Sequence, residues 1–335
     1  MNPARLSIII PALDEAAALP ALLDDLRAQQ GVELQLIVAD GGSTDATVAL
    51  AGARGAEVVS VSRGRGRQMN AGRRAARQEW LLFLHADSRL PTPLLLRDAL
   101  VAMAAQDSLR VAGHFPLRFQ CSAPGHELLF RYMEGKTRLN RPYTINGDQG
   151  LLIRGEWLDA LGGFEERPLE DFRIAARIFE QGRWLLLPGE LLTSARRFET
   201  EGHAERYTLM ALMTGLLAGG VEEFFERAPQ AYRTQAQAAR LDLRPFVRLA
   251  QELLQARGWR GAAGVLLRAG AFVRANAWQL FYRRDVLRGD GNLRCLAFHD
   301  RRVRPLIAHI AGDALAGLAI AAWLWGWLPW RLRRR

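Results

Sequence analysis

The sequence predicts an α/β protein built on a mostly parallel, doubly wound sheet, followed by a helical region. Short apolar runs alternate with helix-like segments about every 20 to 25 residues through the first hundred residues. That alternation is typical of βαβ units and a parallel sheet. Past about Thr200 the strand-like runs stop, and from Arg206 onward helices are joined by turns marked with Gly and Pro.

Four apolar runs are predicted as the first strands of the sheet. They are Leu6–Ile10, Leu34–Ala39, Ala56–Val61 and Trp80–Leu84. The last run is apolar throughout, which indicates a strand buried on both faces, and it ends abruptly in His85 and Asp87. Ligands of parallel sheets bind where strands end, so an imidazole and a carboxylate there favour a metal or phosphate site. The alternative is that both residues only cap the next turn.

Helices are predicted between these strands and a mixed pattern after them. The first four helices are placed at Asp14–Gln29, with its regular part from Pro20, after an N-cap at Ser43 or Thr44, at Gln68–Arg77 and at Pro93–Ala105. The later elements are a strand over Arg110–Gln120, a helix over Gly125–Arg138, a turn and strand over Tyr143–Arg154, helices over Glu156–Leu161 and Pro168–Gln181, and strands over Arg183–Leu187 and Leu191–Ser194.

Composition limits the function classes. The chain has 335 residues, an ordinary globular apolar content of 49%, and two cysteines, which form neither a disulfide framework nor a metal-binding spacing. The first apolar run is too short for a signal peptide. Residues 1–205 carry a net charge of −2, whereas residues 206–335 carry +12. The basic excess favours an anionic partner, either a membrane surface or a nucleic acid, and no nucleic-acid reader motif is present, so we expect no nucleic-acid partner.

Polar residues follow the first two strands as well. Pro11 to Glu15 ends the first strand, and Asp40 to Asp45 (DGGSTD) ends the second. Glycines there let backbone amides approach a phosphate or sugar, and a carboxylate can accept hydrogen bonds from a base or ribose. Ordinary turn and capping chemistry is the alternative, which we favour for Asp45 but not for Asp40. The fingerprint G-x-G-x-x-G is missing after the first strand, which argues against a nicotinamide cofactor.

Seven segments in order resemble a family-2 GT-A glycosyltransferase, and are most similar to the bacterial arsenosugar-biosynthesis-type subgroup. They are SIIIPALDEA, VADGGSTDAT, GRGRQMNAG, LLFLHADS, NGDQGLLIR, LGGFEERPLEDFRIAARI and TSARRFE, within about Leu6–Thr208. The resemblance implies a bacterial enzyme that transfers a sugar from a nucleotide-diphosphate donor to an acceptor hydroxyl, with the help of Mg²⁺ or Mn²⁺.

The same resemblance implies roles for individual residues. Asp171, with its neighbour Glu170, matches the general base. Asp87 stands at the metal position, and His85 replaces the first carboxylate of the family's Asp-x-Asp pair. The residues implied in nucleotide or donor binding are Pro11, Asp14, Glu15, Asp40, Gly42, Arg67, Asp148, Gln149 and Arg197. A UDP-sugar is favoured because Asp40 with Arg67 suits uracil, and inversion is favoured because a single base is available.

The chain past this resemblance predicts a membrane-associating tail. We divide the chain into a catalytic domain (1–205), a basic helical region (206–304) and an apolar tail (305–335). Ala314–Trp330 carries no charge and four Trp, and arginines flank it on both sides. This pattern favours a segment at the cytoplasmic face of the inner membrane and leaves a lipid-linked acceptor open. If the tail packs as a core helix instead, the protein is cytoplasmic. A nucleotidyltransferase and an inactive membrane-bound scaffold are the remaining alternatives.

Overall fold

The computed structural model describes residues 4–121, 125–233 and 240–334, which divide into two compact units, 1–195 and 196–335. The described residues of the first unit form nine strands: β1 Ala4–Ala12, β2 Val32–Asp40, β3 Glu57–Ser60, β4 Trp80–Phe83, β5 Val111–His114, β6 Leu117–Gln120, β7 Leu151–Arg154, β8 Arg183–Leu186 and β9 Leu191–Ser194. Its helices are α1 Leu19–Arg27, α2 Thr47–Ala53, α3 Arg65–Ala75, α4 Leu95–Ala104, α5 Glu127–Thr137, a 3₁₀ turn at Gly147–Gln149, α6 Gly155–Ala160 and α7 Glu170–Gln181.

Seven strands form one sheet in the order β3-β2-β1-β4-β7-β5-β8, and β6 pairs with β9 separately. The pairs of β1, β2, β3 and β4 are parallel, while β7 runs antiparallel to both β4 and β5. The predicted fold class, a mostly parallel α/β sheet with a helical C-terminal region, is confirmed. Neighbouring residues such as Ile8 and Ile9 enter cores on opposite faces, so the central strands are buried on both sides, as their continuous apolar runs predict.

Three local predictions differ from the structure. The single strand predicted over Arg110–Gln120 is two strands, because the chain leaves the main sheet at Phe115-Pro116 and proline cannot donate to a ladder. Neither Ser43 nor Thr44 caps α2, whose N-cap is Ala46. The helix predicted from Gln68 begins three residues earlier, at Arg65.

The second unit is helical throughout its described residues. Its elements are α8 Arg196–Glu201, α9 His203–Gly219, α10 Glu223–Arg233, α11 Arg244–Ala256, α12 Gly258–Ala275, α13 Trp278–Arg288, α14 Arg294–Phe298, a π-helical stretch His299–Val303, α15 Arg304–Ile307, α16 Ile310–Ala321, a π-helical stretch Ala322–Trp327 and α17 Leu328–Arg333. The predicted domain boundary at residue 205 lies inside α9, whereas the compact units meet after Ala195.

Candidate active site

The polar residues of the first unit gather at one edge of the sheet because of how its strands end. Ala12 pairs with Asp40 at the ends of β1 and β2, and β4 ends beside them at Phe83. Since β7 is antiparallel to β4, its first residue, Leu151, lies opposite Phe83. The segment that precedes β7 therefore lies at the same edge as the residues that follow β4. This register brings residues 146–150 to His85.

The turn after β2 is held by Asp40 itself. The Asp40 side chain is 3% exposed, and its carboxylate accepts hydrogen bonds from the backbone N–H groups of Gly42 (3.0 Å) and Ser43 (3.1 Å). Gly42 has a φ of +92°, and a Cβ added to it would meet no atom within 4 Å. The turn thus presents open backbone to a ligand beside a buried carboxylate.

A second set of contacts ties the turn after β1 to the turn after β2. The Asp14 carboxylate accepts a hydrogen bond from the backbone N–H of Thr44 at 2.7 Å, and the Asp14 N–H donates to the Ser43 hydroxyl at 2.9 Å. The Glu15 N–H donates to the Thr47 hydroxyl at 2.8 Å. Asp45 accepts from the N–H groups of Thr47 and Ala16, which is the turn chemistry favoured for it from sequence. These contacts give Asp14 a structural task in addition to its predicted donor contact.

The two polar residues that follow β4, His85 and Asp87, have different contacts. His85 Nδ1 lies 2.6 Å from a carboxylate oxygen of Asp148. A Cβ added to Gly147 would lie 2.6 Å from His85 Nε2, so the imidazole also packs directly on the Gly147 backbone. Asp87 is half-buried and makes no hydrogen bond or ion pair with the part of the chain that the structure describes. Asp87 therefore keeps an available carboxylate, whereas the imidazole of His85 is engaged on both sides.

An open cavity of about 430 Å³, counted with the solvent space inside it, lies next to this edge. Its walls are mainly apolar side chains of the core, including Met69, Phe83 and Trp184. Its polar lining comes from Arg65, His85, Asn146 and Asp171. An apolar pocket with a few convergent polar groups is the usual form of a small-molecule site.

Two adjacent carboxylates at the start of α7 have different environments. Glu170 is 6% exposed, and its carboxylate lies 3.3 Å from the Arg65 guanidinium. Burial raises the pKa of Glu170, the Arg65 charge lowers it, and the neighbouring Asp171 charge raises it. Asp171 lines the cavity, and one of its oxygens accepts a hydrogen bond from the Gly147 N–H at 3.0 Å. Of the two acids, Asp171 is thus the one that faces the cavity.

Arg65 is a site residue that sequence reasoning missed. Its Nη2 atom is buried and has no hydrogen-bond partner among the described residues, while its Nε faces Glu170. A Cβ at Gly147 would lie 2.9 Å from that same Nη2. Gly147 is therefore the position where His85, Arg65 and Asp171 converge on one stretch of backbone, and a side chain there would displace the ends of His85 and Arg65. The Asn-Gly pair in the sequence suggested only a polar turn.

Some predicted residues do not reach the cavity. Gln149 is fully buried, and its side chain bonds His114 Nδ1 at 2.9 Å and the Thr144 carbonyl at 2.6 Å. The predicted ligand contact is therefore not open to Gln149, because both ends of its amide are used in the core. Arg67 lies in a half-exposed ion pair with Glu166 at 2.9 Å and donates to the Ser62 hydroxyl. Arg197 belongs to the second unit, in α8, and its role stays a prediction.

The predicted metal position has few protein ligands. Within residues 4–121, 125–233 and 240–334, no three His, Cys, Asp or Glu side chains are grouped so as to hold a metal ion. At this position Asp87 offers a carboxylate that has no partner among the described residues. Mg²⁺ is usually bound through one or two carboxylates together with substrate phosphates and water, so this donor set fits a cation that the donor diphosphate helps to hold.

The comparisons with known proteins agree with the motifs. Residues 7–161 match the family model described as glycosyl transferase family 2. The part of the chain from β1 to α6 is thus similar to the family 2 glycosyltransferases. The chain is also similar to a PGL/p-HBAD biosynthesis glycosyltransferase of Mycobacterium tuberculosis and to one of Mycobacterium bovis. The identity is 42% over 91 residues, which cover 25% of this chain and 36% of each relative. The match thus spans only about a third of the length of these curated relatives.

Solved structures show similarity at lower identity. The chain is 17% identical to Staphylococcus aureus TarS residues 1–349, and the TM-score is 0.48. The similarity covers 84% of this chain and 90% of that one. It is 18% identical to the mannosyltransferase PcManGT of Pyrobaculum calidifontis, solved with GDP-Man and Mn²⁺, with a TM-score of 0.47, over 96% of this chain and 87% of that one.

Proposed function

We propose that the protein transfers a sugar from a nucleotide-diphosphate donor, preferably a UDP-sugar, to an acceptor hydroxyl with inversion. The observation that carries this proposal is the placement of Asp171 in the cavity beside Arg65, at the sheet edge where Asp40 and Asp87 also lie. A base and a cationic group at one end of a pocket are what a displacement with an anionic leaving group requires. The similarity to the family 2 glycosyltransferases supports the same reaction class.

In the proposed reaction Asp171 acts as the general base. The acceptor hydroxyl oxygen attacks the anomeric carbon on the face opposite the diphosphate, and its proton passes to the Asp171 carboxylate. The bond from the anomeric carbon to the diphosphate oxygen breaks, and the nucleoside diphosphate leaves with that electron pair. One displacement of this kind inverts the anomeric centre. The hydrogen bond from the Gly147 N–H fixes the orientation of Asp171 for this step.

Glu170 has a supporting role in the proposed reaction. It is too buried to meet an acceptor, but its carboxylate orients the Arg65 guanidinium. The second end of that guanidinium, Nη2, has no partner in the described structure and can donate to an anionic oxygen. Charge-assisted hydrogen bonds of this kind stabilise a leaving diphosphate more in a water-poor site than in water. We assign Glu170 as the residue that positions Arg65.

The donor would be held by the turns after β1, β2 and β4. Asp40 and the open Gly42 backbone suit the base or ribose, and Pro11, Asp14 and Glu15 form the neighbouring turn. Asp87 would hold Mg²⁺ or Mn²⁺ against the diphosphate, and that cation supplies positive charge to the leaving group. His85 is engaged by Asp148, so its proposed contribution is to fix that loop and to leave ligation chiefly to Asp87.

Nucleotide binding tests this proposal directly. We expect UDP to raise the melting temperature of the protein more than GDP or CDP does, and Mn²⁺ to increase the UDP effect. Asp87→Asn should remove the Mn²⁺ increment and leave part of the UDP shift. Asp98→Asn, a change of the same kind at an exposed ion pair on α4, is the matched control and should behave as the wild type. No shift with any nucleoside diphosphate would contradict the proposed donor class.

We also propose that the protein works at the cytoplasmic face of a bacterial inner membrane, where a lipid-linked acceptor is available. The support is the net charge of +12 over residues 206–335 and the helix Ile310–Arg333, which by length and composition could cross a membrane and has 11% of its most apolar window buried. A core helix would be mostly buried, so this exposure does not favour the alternative of a cytoplasmic protein with a packed tail.

A further inference from the structure

The helix Ile310–Arg333, which we call the tail helix, has one covered side. Its buried residues are Gly317, Leu324 and Leu328, spaced by seven and four positions so that they lie on one face. The opposite side carries Leu315 and Leu318, which are 68% and 67% exposed. Trp325, Trp327 and Trp330 extend the exposed apolar surface toward the C-terminal end. A soluble protein seldom leaves such a continuous apolar surface in water.

The covered side of the tail helix packs closely against α12 in an antiparallel pair. A Cβ added to Gly317 would lie 2.7 Å from the Leu266 carbonyl oxygen, and one added to Gly270 would clash with the backbone at Asp313. Since Leu266 meets Gly317 and Gly270 meets Asp313, the two chains run in opposite directions. Small residues that let helix backbones approach are the usual basis of helix pairing in a lipid environment.

The charged side chains Asp313 and Arg268 of this helix pair both have partners within the second unit. Asp313, the single charged residue between Arg304 and Arg331, is paired with Arg274 of α12. Arg268, also on α12, donates two hydrogen bonds to the Gly219 carbonyl, at 2.7 and 3.1 Å. The exposed stripe of the tail helix is therefore apolar and carries no uncompensated charge.

One end of the pair combines tryptophan with arginine three times. Arg331 lies over the Trp327 ring at 5.1 Å and Arg334 over Trp330 at 4.2 Å. The antiparallel register places the start of α12 at this same end, where Arg260 lies over the Trp259 ring at 5.0 Å. Tryptophan and arginine together are typical of the headgroup level of a membrane, and the arginines would contact anionic lipid phosphates.

Polar and charged side chains of α11 along the covered side argue against a span. Gln251 of α11 donates a hydrogen bond to the Leu324 carbonyl at 2.8 Å. The next residue of α11, Glu252, is 60% exposed in a surface ion pair with Arg227. If the tail helix crossed the bilayer, these charges would enter the hydrocarbon at the level of Leu324, which is costly.

From these observations we infer that the tail helix lies in the plane of an anionic membrane, with its exposed stripe in one leaflet, its covered side on α12 and α11, and the Trp–Arg end at the lipid phosphates. The inference rests on the proposed membrane location and specifies the element and its depth. The apolar stripe would insert among the lipid chains, and the arginines at the Trp–Arg end would favour anionic over neutral lipids.

Vesicle sedimentation of the full-length protein tests the inference. We expect the protein to sediment with vesicles of phosphatidylcholine and phosphatidylglycerol, and alkaline carbonate to release it. Leu318→Glu, at an exposed position of the stripe, should lower the bound-to-free ratio at least about tenfold. Leu109→Glu, at a residue of similar exposure (62%) in the first unit, is the matched control and should bind as the wild type.

A charge variant separates the two contributions. Arg331→Gln with Arg334→Gln should weaken binding to the anionic vesicles by about fivefold for each arginine and leave the weaker binding to phosphatidylcholine alone unchanged. Binding of Leu318→Glu equal to that of the wild type, or wild-type protein that stays in the membrane pellet after carbonate, would overturn the inference. Release of UDP from the donor is measured on the same variants without vesicles, so a failure of the proposed reaction is seen separately from a failure to bind lipid.

Discussion

Arginine side chains are used in opposite ways in the two units of this protein. In the first unit Arg65 enters a cavity, pairs with a buried carboxylate and keeps one end without a partner. In the second unit Arg274 pairs with Asp313, and Arg268 donates to the Gly219 carbonyl. Apolar side chains of the tail helix are exposed on its other side. An unsatisfied guanidinium in a pocket favours a small anion, whereas satisfied guanidiniums under an apolar surface favour a lipid bilayer. The difference depends on where the apolar side chains lie, not on charge alone.

In the first unit, removal of the proposed base, Asp171, should have the largest effect on activity. Asp171→Asn should lower donor turnover about a thousandfold, because loss of a general base typically costs between a hundredfold and ten thousandfold. Release of UDP from the UDP-sugar measures the rate, and calorimetry should show UDP binding within about twofold of the wild type. Asp98→Asn is again the control. Equal losses of binding and turnover in Asp171→Asn would mean that the residue supports the fold of the site and not the proton transfer.

A pH change should affect the first unit through His114. This imidazole is fully buried, and burial lowers its pKa to about 4, although hydrogen bonds to the side-chain oxygens of Asn140 and Gln149 oppose this shift. The unfolded chain, with an imidazole pKa of about 6.5, binds the proton more readily than the folded one. The contribution of the neutral His114 to the free energy of unfolding is therefore fully present above pH 6.5. It is lost as the pH falls to about 4, and the loss is about 3 kcal/mol at most.

Denaturant unfolding between pH 7 and pH 4 measures that loss. His114→Gln should flatten this part of the pH dependence, although the variant is expected to be less stable at pH 7. His126→Gln changes an exposed histidine of the same unit and should leave the dependence intact. A His114→Gln profile with the full slope between pH 6.5 and pH 4 would show that other groups cause it.

The paired charges of the second unit should matter for its stability. Arg274→Met removes the partner of Asp313 and leaves a carboxylate inside the helix pair, where both side chains are about one fifth exposed. We expect the free energy of unfolding to fall by about 2 kcal/mol, somewhat less than for a fully buried pair. Urea unfolding followed by circular dichroism measures the change. Arg260→Met, at the exposed end of the same helix, should cost less than about 0.5 kcal/mol; similar losses in both variants would argue against a special role for the pair.

Substitution of Arg65 should have the smallest of these effects, and it tests whether Arg65 contacts the leaving group. Arg65→Gln should reduce donor turnover about tenfold or somewhat more, because a cationic contact to the leaving diphosphate is lost. Arg63→Gln, two residues earlier on an exposed side chain, is the matched control and should keep wild-type turnover. If both variants lose activity to the same degree, the loss reflects the general positive charge of the segment.

The fold and the edge of the sheet were predictable from sequence because buried parallel strands have continuous apolar runs and end in polar turns. Arg65 was not, since Arg63, Arg65 and Arg67 alternate with glycine and only the start of α3 decides which one enters the cavity. The burial of Gln149 was not predictable either, because the 3₁₀ turn before β7 leaves Asp148 partly exposed and places Gln149 in the core. The exposed stripe of the tail was equally hidden, since its Leu, Ala and Trp residues surround the whole helix in sequence.

The antiparallel insertion of β7 has a consequence for how the protein is made. The turns after β1 and β2 bond to each other through residues that are synthesised early, so this half of the edge can form on a short nascent chain. Arg65 can pair with Glu170, and His85 with Asp148, only after these later residues have been synthesised. Such contacts between distant parts of the chain form slowly because long loops must close first. A nascent chain that stops before α7 would leave the Arg65 guanidinium without its carboxylate. The turns proposed to bind the nucleotide would then form before the proposed base, Asp171, is in place.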